Sequence, residues 1–296
     1  MPVWIDTDPS VARGGKEVDD GFALVQAFRS PELAVRGVSI VFGNAPLSEA
    51  LPIGRQYVKD FGPAGLAVYA GAASAAELGK QTPASVAIAN ALRKEPLTLL
   101  VIGPATNVAT VLRLHPELAP RVKQIVAVAG RRPGQIFRAS PAAGAFRDLN
   151  FELDPEAFRV ILNARVPLVL APWEISSKVW LRADDLASLR VKDPHLAPLL
   201  DASADWLSFW AKNLHADGFN PFDSLAVGYA INPAGFQCDR VTITIETHPD
   251  DTSPAKPPKP YLLRRDNGTA GGPLYCHTAP ANFKMELLRR LGRRKE

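Results

Sequence analysis

The sequence predicts an α/β protein with an open, mostly parallel twisted sheet that carries helices on both faces. Short apolar or β-branched segments alternate with helical patterns from residue 3 to residue 170, as in parallel strands joined by right-handed crossovers. The strand segments are apolar throughout, which suits a sheet that is covered on both faces. The chain has 296 residues, 47% of them hydrophobic, so a single domain over residues 1–296 with a substantial core is expected.

Strands and helices alternate regularly in this first part. The predicted strands are Val3–Asp6, Val35–Ile40, Leu66–Tyr69, Leu97–Ile102, Gln124–Ala129 and Val166–Leu170. The predicted helices are Phe22–Phe28, Ser48–Phe61, Pro83–Leu92, Asn107–Leu114 and Pro155–Leu162. The start of the last helix is well defined, because Asp154 is a good N-cap, Pro155 suits the first helical position and Glu156 complements the helix dipole.

A more helical C-terminal portion is expected after residue 170. The predicted elements there are helices Asp184–Arg190, Pro194–His215 and Ser224–Ile231, strand Val241–Glu246 and a closing helix Ala281–Leu291. The segment His248–Pro260 is rich in Pro, Asp and Lys and is predicted to be an exposed loop.

Charge, hydropathy and cysteine content limit the class of protein. The net charge is +4, but much of the basic excess lies in Arg289–Lys295, which suits a solvated helix end, and with no nucleic-acid motif we expect no nucleic-acid partner. No apolar run reaches the ~20 residues that span a bilayer, and no signal peptide is evident, so no membrane partner and a cytoplasmic location are expected. Cys238 and Cys276 lie far apart in the sequence and are expected to be reduced thiols.

Polar residues follow several predicted strands. Asp6-Thr7-Asp8 ends the first strand, Asn44 follows the second, and Trp173-Glu174 follows the sixth. In open α/β sheets, ligands bind beyond the carboxyl ends of the strands. We therefore expect acids, amides and a backbone carbonyl to converge on one edge of the sheet.

Asp6, Asp8, Asp19 and Asp20 form a cluster of carboxylates in the sequence. Asp6 and Asp8 share one face of an extended strand end, and Asp19 and Asp20 would open the next helix. Because close acids repel each other, several oxygen ligands without nearby Cys or His suit a hard cation such as Ca²⁺ or Mg²⁺. The alternative is a set of capping and surface acids, and Asp223 by itself is better explained as the N-cap of the helix that follows.

Five short segments, in order along the chain, form a more specific pattern. They are Asp6-Thr7-Asp8-Pro9 followed by Asp19-Asp20, Val41-Phe42-Gly43-Asn44-Ala45, Ile102-Gly103-Pro104-Ala105-Thr106-Asn107, Asp148-Leu149-Asn150 ahead of Asp154-Pro155-Glu156-Ala157, and Phe222-Asp223-Ser224-Leu225-Ala226-Val227. They resemble the DTDPGxDD, GN, GPLTN, EFNxxxDPEAA and HDxxAxx segments of the inosine–uridine-preferring nucleoside hydrolase family. The resemblance runs from the first strand to about residue 231.

The resemblance implies an enzyme that hydrolyses the N-glycosidic bond of a small-molecule ribonucleoside with Ca²⁺ as cofactor. The implied calcium ligands are Asp8, Asp20, Asp223 and the backbone carbonyl of Ile102. Asp8 would also act as general base on the calcium-bound water. The implied sugar contacts are Asp19, Asn44 and Asn150, with Asp148 on the 5′ side, where the family usually has Glu. Family members commonly form dimers or tetramers, so a homodimer or homotetramer is expected.

Two features depart from the family pattern. The family has two residues between its Pro and the paired acids, whereas here Ser10–Val18 supplies nine, including Gly14-Gly15. This loop must bulge outward if Asp8 and Asp20 are to meet, and a Gly pair permits such a turn. In many members the His of the HD pair protonates the leaving base, but Phe222 stands there and cannot transfer a proton.

Three interpretations of the missing histidine remain open. Aromatic stacking can hold the base, with Trp173, Trp206, Phe209, Trp210 or Phe222 as candidates, although Trp206 and Trp210 on one helix face also suit a core. Another acid can serve, from Glu174, His215 or His277. Finally, the substrate can carry a base that leaves easily without a proton donor. If the base hardly leaves at all, the chain is a catalytically weak, metal-dependent ribose- or nucleoside-binding protein.

The segment Arg131–Arg138 carries three arginines where the family usually has glycine and asparagine. These arginines either lie over the mouth of the pocket, where they would favour an anionic or modified substrate, or belong to a solvated loop.

Overall fold

The computed structural model describes residues 1–12 and 14–293, and it has the predicted α/β architecture. The strands are β1 (Pro2–Thr7), β2 (Ala34–Ile40), β3 (Val68–Ala70), β4 (Leu97–Val101), β5 (Val122–Ala127), β6 (Leu168–Leu170), β7 (Gln237–Arg240), β8 (Thr242–His248), β9 (Lys259–Arg265) and β10 (Leu274–Thr278). The α-helices are α1 (Asp19–Phe28), α2 (Leu47–Phe61), α3 (Pro83–Lys94), α4 (Thr106–Leu114), α5 (Leu149–Glu152), α6 (Pro155–Ala164), α7 (Trp173–Ser176), α8 (Ala183–Lys192), α9 (Ala197–Asn213), α10 (Phe222–Ile231) and α11 (Phe283–Leu291).

The main sheet has eight strands in the order β3-β2-β1-β4-β5-β6-β10-β7. All neighbouring pairs are parallel except β10 and β7 at one edge. Strand order reverses between β1 and β4, which is the point where open α/β sheets bind ligands at the carboxyl ends of their strands. The remaining two strands, β8 and β9, form a separate antiparallel pair.

Two apolar cores cover the two faces of the main sheet, as the apolar strands predicted. One core contains residues of α1, α2, α8, α9, α10 and α11. The other contains residues of α3, α4, α5 and α6 together with β8 and β9. The predicted N-cap of α6 is confirmed, because Oδ1 of Asp154 accepts a hydrogen bond from the amide of Ala157 at 3.0 Å.

The first six strands match the sequence prediction, with ends that differ by one or two residues. The C-terminal portion differs more, because β7, β9 and β10 accompany its helices and were not predicted. β10 is a short strand that pairs with the distant β6 and β7, so its neighbours along the chain carry little signal. The observed loop is shorter than the predicted loop His248–Pro260. It ends before Lys259 and Pro260, which belong to β9.

The expectation of reduced cysteines is wrong, since Cys238 and Cys276 form a disulfide bond. They lie directly opposite each other on the antiparallel strands β7 and β10, so separation along the chain was a poor guide to separation in space. The basic C-terminal end is also less solvated than expected, because the buried Arg290 binds Glu32; Arg294 and Lys295 lie outside the described residues. Within the described part of the chain, no helix is long and apolar enough to cross a membrane.

Candidate active site

A cavity of about 520 Å³ opens at the carboxyl edge of the main sheet. Its walls combine acids, amides and aromatic rings from segments that are far apart in the sequence. The residues that line it include Glu17, Asp19, Asn44, Ile102, Phe137, Phe146, Arg147, Asp148, Asn150, Trp173, Trp206, Phe209, Trp210, Phe222, Asp223, Thr252 and Lys256.

The long loop after β1 does bring its two ends together. The backbone amide of Asp8 donates to Oδ1 of Asp20 at 3.2 Å, and the hydroxyl of Thr7 donates to the same oxygen. Gly14 and Gly15 have φ angles of 91° and 77°, in the left-handed region that glycine adopts without steric cost. The Gly pair therefore makes the outward turn that the sequence required.

Three buried carboxylates, those of Asp19, Asp20 and Asp223, converge beside the cavity. Each offers an oxygen, and these oxygens all lie within 4.8 Å of one another. Asp223 lies in the first turn of α10 and makes no capping hydrogen bond, so the N-cap interpretation has no support. Asp6 is engaged elsewhere, because its Oδ1 accepts from Nδ2 of Asn107 at 2.8 Å and from the hydroxyl of Ser39.

The acids are electrostatically unfavourable as they stand. Burial, together with repulsion from Asp19, raises the pKa of Asp20 to about 7. Burial also raises the pKa values of Asp8 and Asp223 well above their usual range, with added repulsion from Asp20 on Asp8 and from Asp19 on Asp223. Oδ1 of Asp8 and Oδ1 of Asp19 are buried and have no hydrogen-bond partner among the described residues. A hard cation would relieve both the unpaired oxygens and the mutual repulsion, so this donor set fits a divalent cation such as Ca²⁺ or Mg²⁺.

Glu17 is a fifth acid of this region that the sequence analysis missed. It lines the cavity, and burial raises its pKa to about 8, with repulsion from Asp20 and Asp8 adding to the rise. Glu17 lies in the inserted loop, outside every segment of the family pattern. Its position two residues before Asp19 was the only available signal.

Asp8 is held by close backbone contacts. The amide of Asn44 donates to its Oδ2 at 2.7 Å. A Cβ atom added to Gly43 would overlap that carboxylate, and one added to Gly103 would lie 2.7 Å from Oδ1. Glycine in the segments after β2 and β4 thus gives the backbone room to approach Asp8.

Asp148 and Asn150 line another part of the cavity wall. Oδ2 of Asp148 accepts from the amide of Gly130 at 2.8 Å, and burial raises the pKa of Asp148 to about 6. Nδ2 of Asn150 donates to the carbonyls of Ile102 at 3.2 Å and Val128 at 3.1 Å. The Asn150 amide is therefore oriented by the ends of β4 and β5.

Aromatic rings form one wall of the cavity. The ring centroid of Trp173 lies 5.0 Å from that of Phe137 and 5.4 Å from that of Phe146. Phe146 in turn contacts Phe222, with centroids 6.2 Å apart. Trp206, Phe209 and Trp210 of α9 continue this aromatic wall. Trp206 and Trp210, for which a core position was the alternative, therefore line the cavity.

None of the candidate replacement acids Glu174, His215 and His277 lines this cavity. The carboxylate of Glu174 accepts hydrogen bonds from Nε and Nη2 of Arg132 at 2.7 and 2.8 Å and from the hydroxyl of Tyr275 at 2.9 Å. Glu174 is thereby engaged in an ion pair outside the cavity.

The three arginines of 131–138 do not line the cavity either. Arg131 is buried and pairs with Asp251, and Arg132 pairs with Glu174. Arg147 and Lys256 line the cavity instead, and sequence reasoning missed both because neither belongs to a motif.

The sequence matches the family model described as inosine–uridine preferring nucleoside hydrolase over residues 3–258. An uncharacterized protein of Schizosaccharomyces pombe is 29% identical, with 85% of this chain and 87% of that protein covered. The non-specific ribonucleoside hydrolase RihC of Escherichia coli is 26% identical, with 86% of each chain covered.

Solved structures of similar fold include a purine-preferring ribonucleoside hydrolase from Gardnerella vaginalis, with a TM-score of 0.81 and 17% identity over 99% of this chain and 98% of that one. A plant nucleoside hydrolase, PpNRh1, also has a TM-score of 0.81, with 20% identity over 99% of each chain. At these identities the likeness concerns the fold.

Proposed function

This chain belongs to the inosine–uridine preferring nucleoside hydrolase family and is a hydrolase that acts on nucleosides, and we propose that it cleaves the N-glycosidic bond of a ribonucleoside to release ribose and the free base. The observation that carries the proposal is the group of buried carboxylates, Asp19, Asp20 and Asp223, beside an aromatic cavity. Acids beside a sugar stabilise the positive charge that builds on C1′ and O4′ as the bond breaks.

The donor set supports Ca²⁺ as the cofactor. Asp8, Asp20, Asp223 and the carbonyl of Ile102 are the proposed ligands, and Asp19, which lies in one group with Asp20 and Asp223, would contact the ribose hydroxyls beside the ion. When bound, Ca²⁺ supplies a water of lowered pKa and fixes hydroxyl groups of the sugar. The carboxylates are all acceptors of the hard oxygen type that this ion prefers.

Asp8 is proposed as the general base. Its Oδ2 accepts from the amide of Asn44, while its buried Oδ1 has no hydrogen-bond partner among the described residues. The free oxygen can therefore take the proton of the attacking water while the other one fixes the carboxylate. Neighbouring positive charge would keep Asp8 ionised before the reaction.

The remaining predicted residues divide between sugar and base. Asp19, Asn44 and Asn150 are proposed to bind the ribose hydroxyls, and Asp148 the 5′ side. Trp173 and Phe222 belong to the aromatic wall and are proposed to contact the base. Glu174 is a predicted substrate contact that the geometry does not favour, because its carboxylate binds Arg132 and Tyr275.

A second candidate is a nucleoside-binding protein with weak turnover. The position of Phe222 on the cavity wall favours it, because no histidine lines the cavity in the described part of the chain and the leaving base receives no proton from that position. A homodimer or homotetramer stays a prediction.

Release of free ribose from a panel of purine and pyrimidine nucleosides tests the two candidates. The assay is run with CaCl₂ and again after chelation with EGTA. Calcium-dependent ribose release supports the hydrolase. Saturable ribose binding by calorimetry without release from any nucleoside would replace it by the binding protein.

A further inference from the structure

Two cationic side chains, Arg147 and Lys256, line the cavity beside the proposed sugar site. Both are exposed to solvent, and Arg147 directly precedes Asp148, the residue proposed for the 5′ side of the sugar. A neutral nucleoside offers neither side chain an opposite charge. Two cations on the wall of an otherwise acidic and aromatic cavity would instead complement a ligand that carries negative charge.

Both cations keep donors free for a ligand. Nζ of Lys256 donates to the hydroxyl of Thr252 at 3.3 Å, and no carboxylate of the described residues lies within ion-pair distance of it. Arg147 binds Oε2 of Glu152 through Nε at 3.0 Å, and its two terminal nitrogens donate to no described residue. A guanidinium with two free nitrogens matches the oxygens of a phosphate.

A buried ion network fixes the two segments that carry these cations. Nζ of Lys259 binds Glu152 at 2.9 Å and Asp251 at 2.8 Å, and Arg131 binds Asp251 as well. Glu152 closes α5 just after Arg147, and Asp251 begins the segment that leads to Lys256. The network therefore holds the segments of both cations against each other, although the two side chains themselves extend into the cavity mouth.

Asp148 leaves space in the same place. Aspartate is one methylene shorter than the glutamate usual in the family, and the hydrogen bond from Gly130 draws its Oδ2 towards the backbone. The shorter side chain permits a larger 5′ substituent than a hydroxyl group.

We propose that Arg147 and Lys256 bind an anionic group on the 5′ carbon of the sugar, so that the preferred substrates are ribonucleoside 5′-monophosphates. This inference rests on the function proposed above. In the reaction, the oxygen of water bonds to C1′, the bond from C1′ to the base nitrogen breaks, and the base leaves with a proton. The phosphate ester stays intact, and the products are ribose 5-phosphate and the free base.

The test compares inosine 5′-monophosphate with inosine as substrates of the wild type, Lys256→Ala and Arg147→Gln. We expect the wild type to have the higher kcat/KM for the monophosphate, and each variant to lower the ratio of the two kcat/KM values by at least about tenfold. Lys256→Arg keeps the positive charge and should therefore retain most of the wild-type ratio of the two kcat/KM values. Arg159→Ala is the matched control, because Arg159 is an exposed arginine of α6 that pairs with Glu156 outside the cavity.

Two results would overturn the inference and leave the hydrolase function standing. One is a lower kcat/KM for inosine 5′-monophosphate than for inosine in the wild type. The other is the same ratio of the two kcat/KM values in the wild type and in both variants. If neither compound is hydrolysed, the hydrolase proposal fails, and calorimetry decides the inference by itself. Ribose 5-phosphate should then bind the wild type at least about tenfold more tightly than ribose does, and Lys256→Ala should remove the difference. Equal affinities of ribose and ribose 5-phosphate would reject it.

Discussion

The backbone amide of Asn44 donates a hydrogen bond to Oδ2 of Asp8 at 2.7 Å. This bond joins the segment after β2 to the acid that follows β1, at the strand edge where the cavity opens. It requires the backbone at Gly43 to pass so close that a Cβ atom there would overlap the carboxylate. The position of the proposed general base is therefore set by a glycine of the neighbouring segment.

Gly43→Ala should displace the Asp8 carboxylate and lower kcat by about 100-fold, since a shift of about 1 Å in a catalytic group has effects of that size. Circular dichroism should show a folded protein. Gly144→Ala is the control, because no atom lies within 4 Å of a Cβ added there. Wild-type kcat in Gly43→Ala would mean that Asp8 does not have to stay in this position.

Asp8→Ala and Asp8→Asn should each reduce kcat by about 1,000-fold or more, because both remove the proton acceptor for the attacking water. Initial rates of ribose release, measured beside the exposed Asp184→Asn as control, test this effect. Retention of most of the wild-type rate in Asp8→Asn would exclude the base role.

Calcium should raise the thermal stability of the protein, because the ion offsets the repulsion among Asp19, Asp20 and Asp223. At a free concentration 100 times its Kd, a ligand adds about 2.7 kcal/mol to the free energy of unfolding, which corresponds to roughly 4 °C in Tm for a chain of 296 residues. Differential scanning fluorimetry in CaCl₂ and in EGTA measures the shift. Asp223→Asn should reduce it strongly, whereas identical melting of the wild type in both buffers would argue against a cation at this place.

Replacement of Phe222 by histidine should increase kcat for purine nucleosides by about tenfold or more, since it places a proton donor on the cavity wall beside the leaving base. The rate should also become sensitive to the protonation of the new imidazole. Phe222→Leu, which removes the ring without adding a donor, separates this effect from lost stacking. If Phe222→His is no faster than Phe222→Leu, proton donation at this position does not limit the reaction.

Asp148 should make the protein less stable at high pH. Burial raises its pKa from 3.8 to about 6 in the folded state, so the folded protein binds the proton more tightly than the unfolded chain does. This contribution to stability is complete below pH 3.8 and is lost as the pH rises through about 6. Asp148→Asn should therefore raise the free energy of unfolding more at pH 8 than at pH 5, by about 1 kcal/mol.

Urea denaturation of Asp148→Asn and the wild type at the two pH values measures this difference. The exposed Asp184→Asn serves as the reference and should show the same change at both. If Asp148→Asn changes the free energy of unfolding equally at pH 5 and pH 8, then burial of the ionised Asp148 does not destabilise the folded protein.

Local patterns predicted much of the fold and part of the site. The alternation of strands and helices was enough for β1 to β6, because each strand is an apolar segment next to a clear helix. The Asp154 cap and the Gly14-Gly15 turn are equally local. β10 was missed because its partners β6 and β7 are distant in the sequence, and the Cys238–Cys276 bond was missed for the same reason.

The sequence by itself determined the α/β alternation, the acids after the first strand and the resemblance that links them to Asp223. Only the tertiary structure decided which charges face the cavity. Arg132 and Glu174 neutralise each other outside the cavity, whereas Glu17, Arg147 and Lys256 lie on its wall. The reason is physical: the partner of a charged side chain is set by the packing of distant segments, and no short stretch of sequence records that distance.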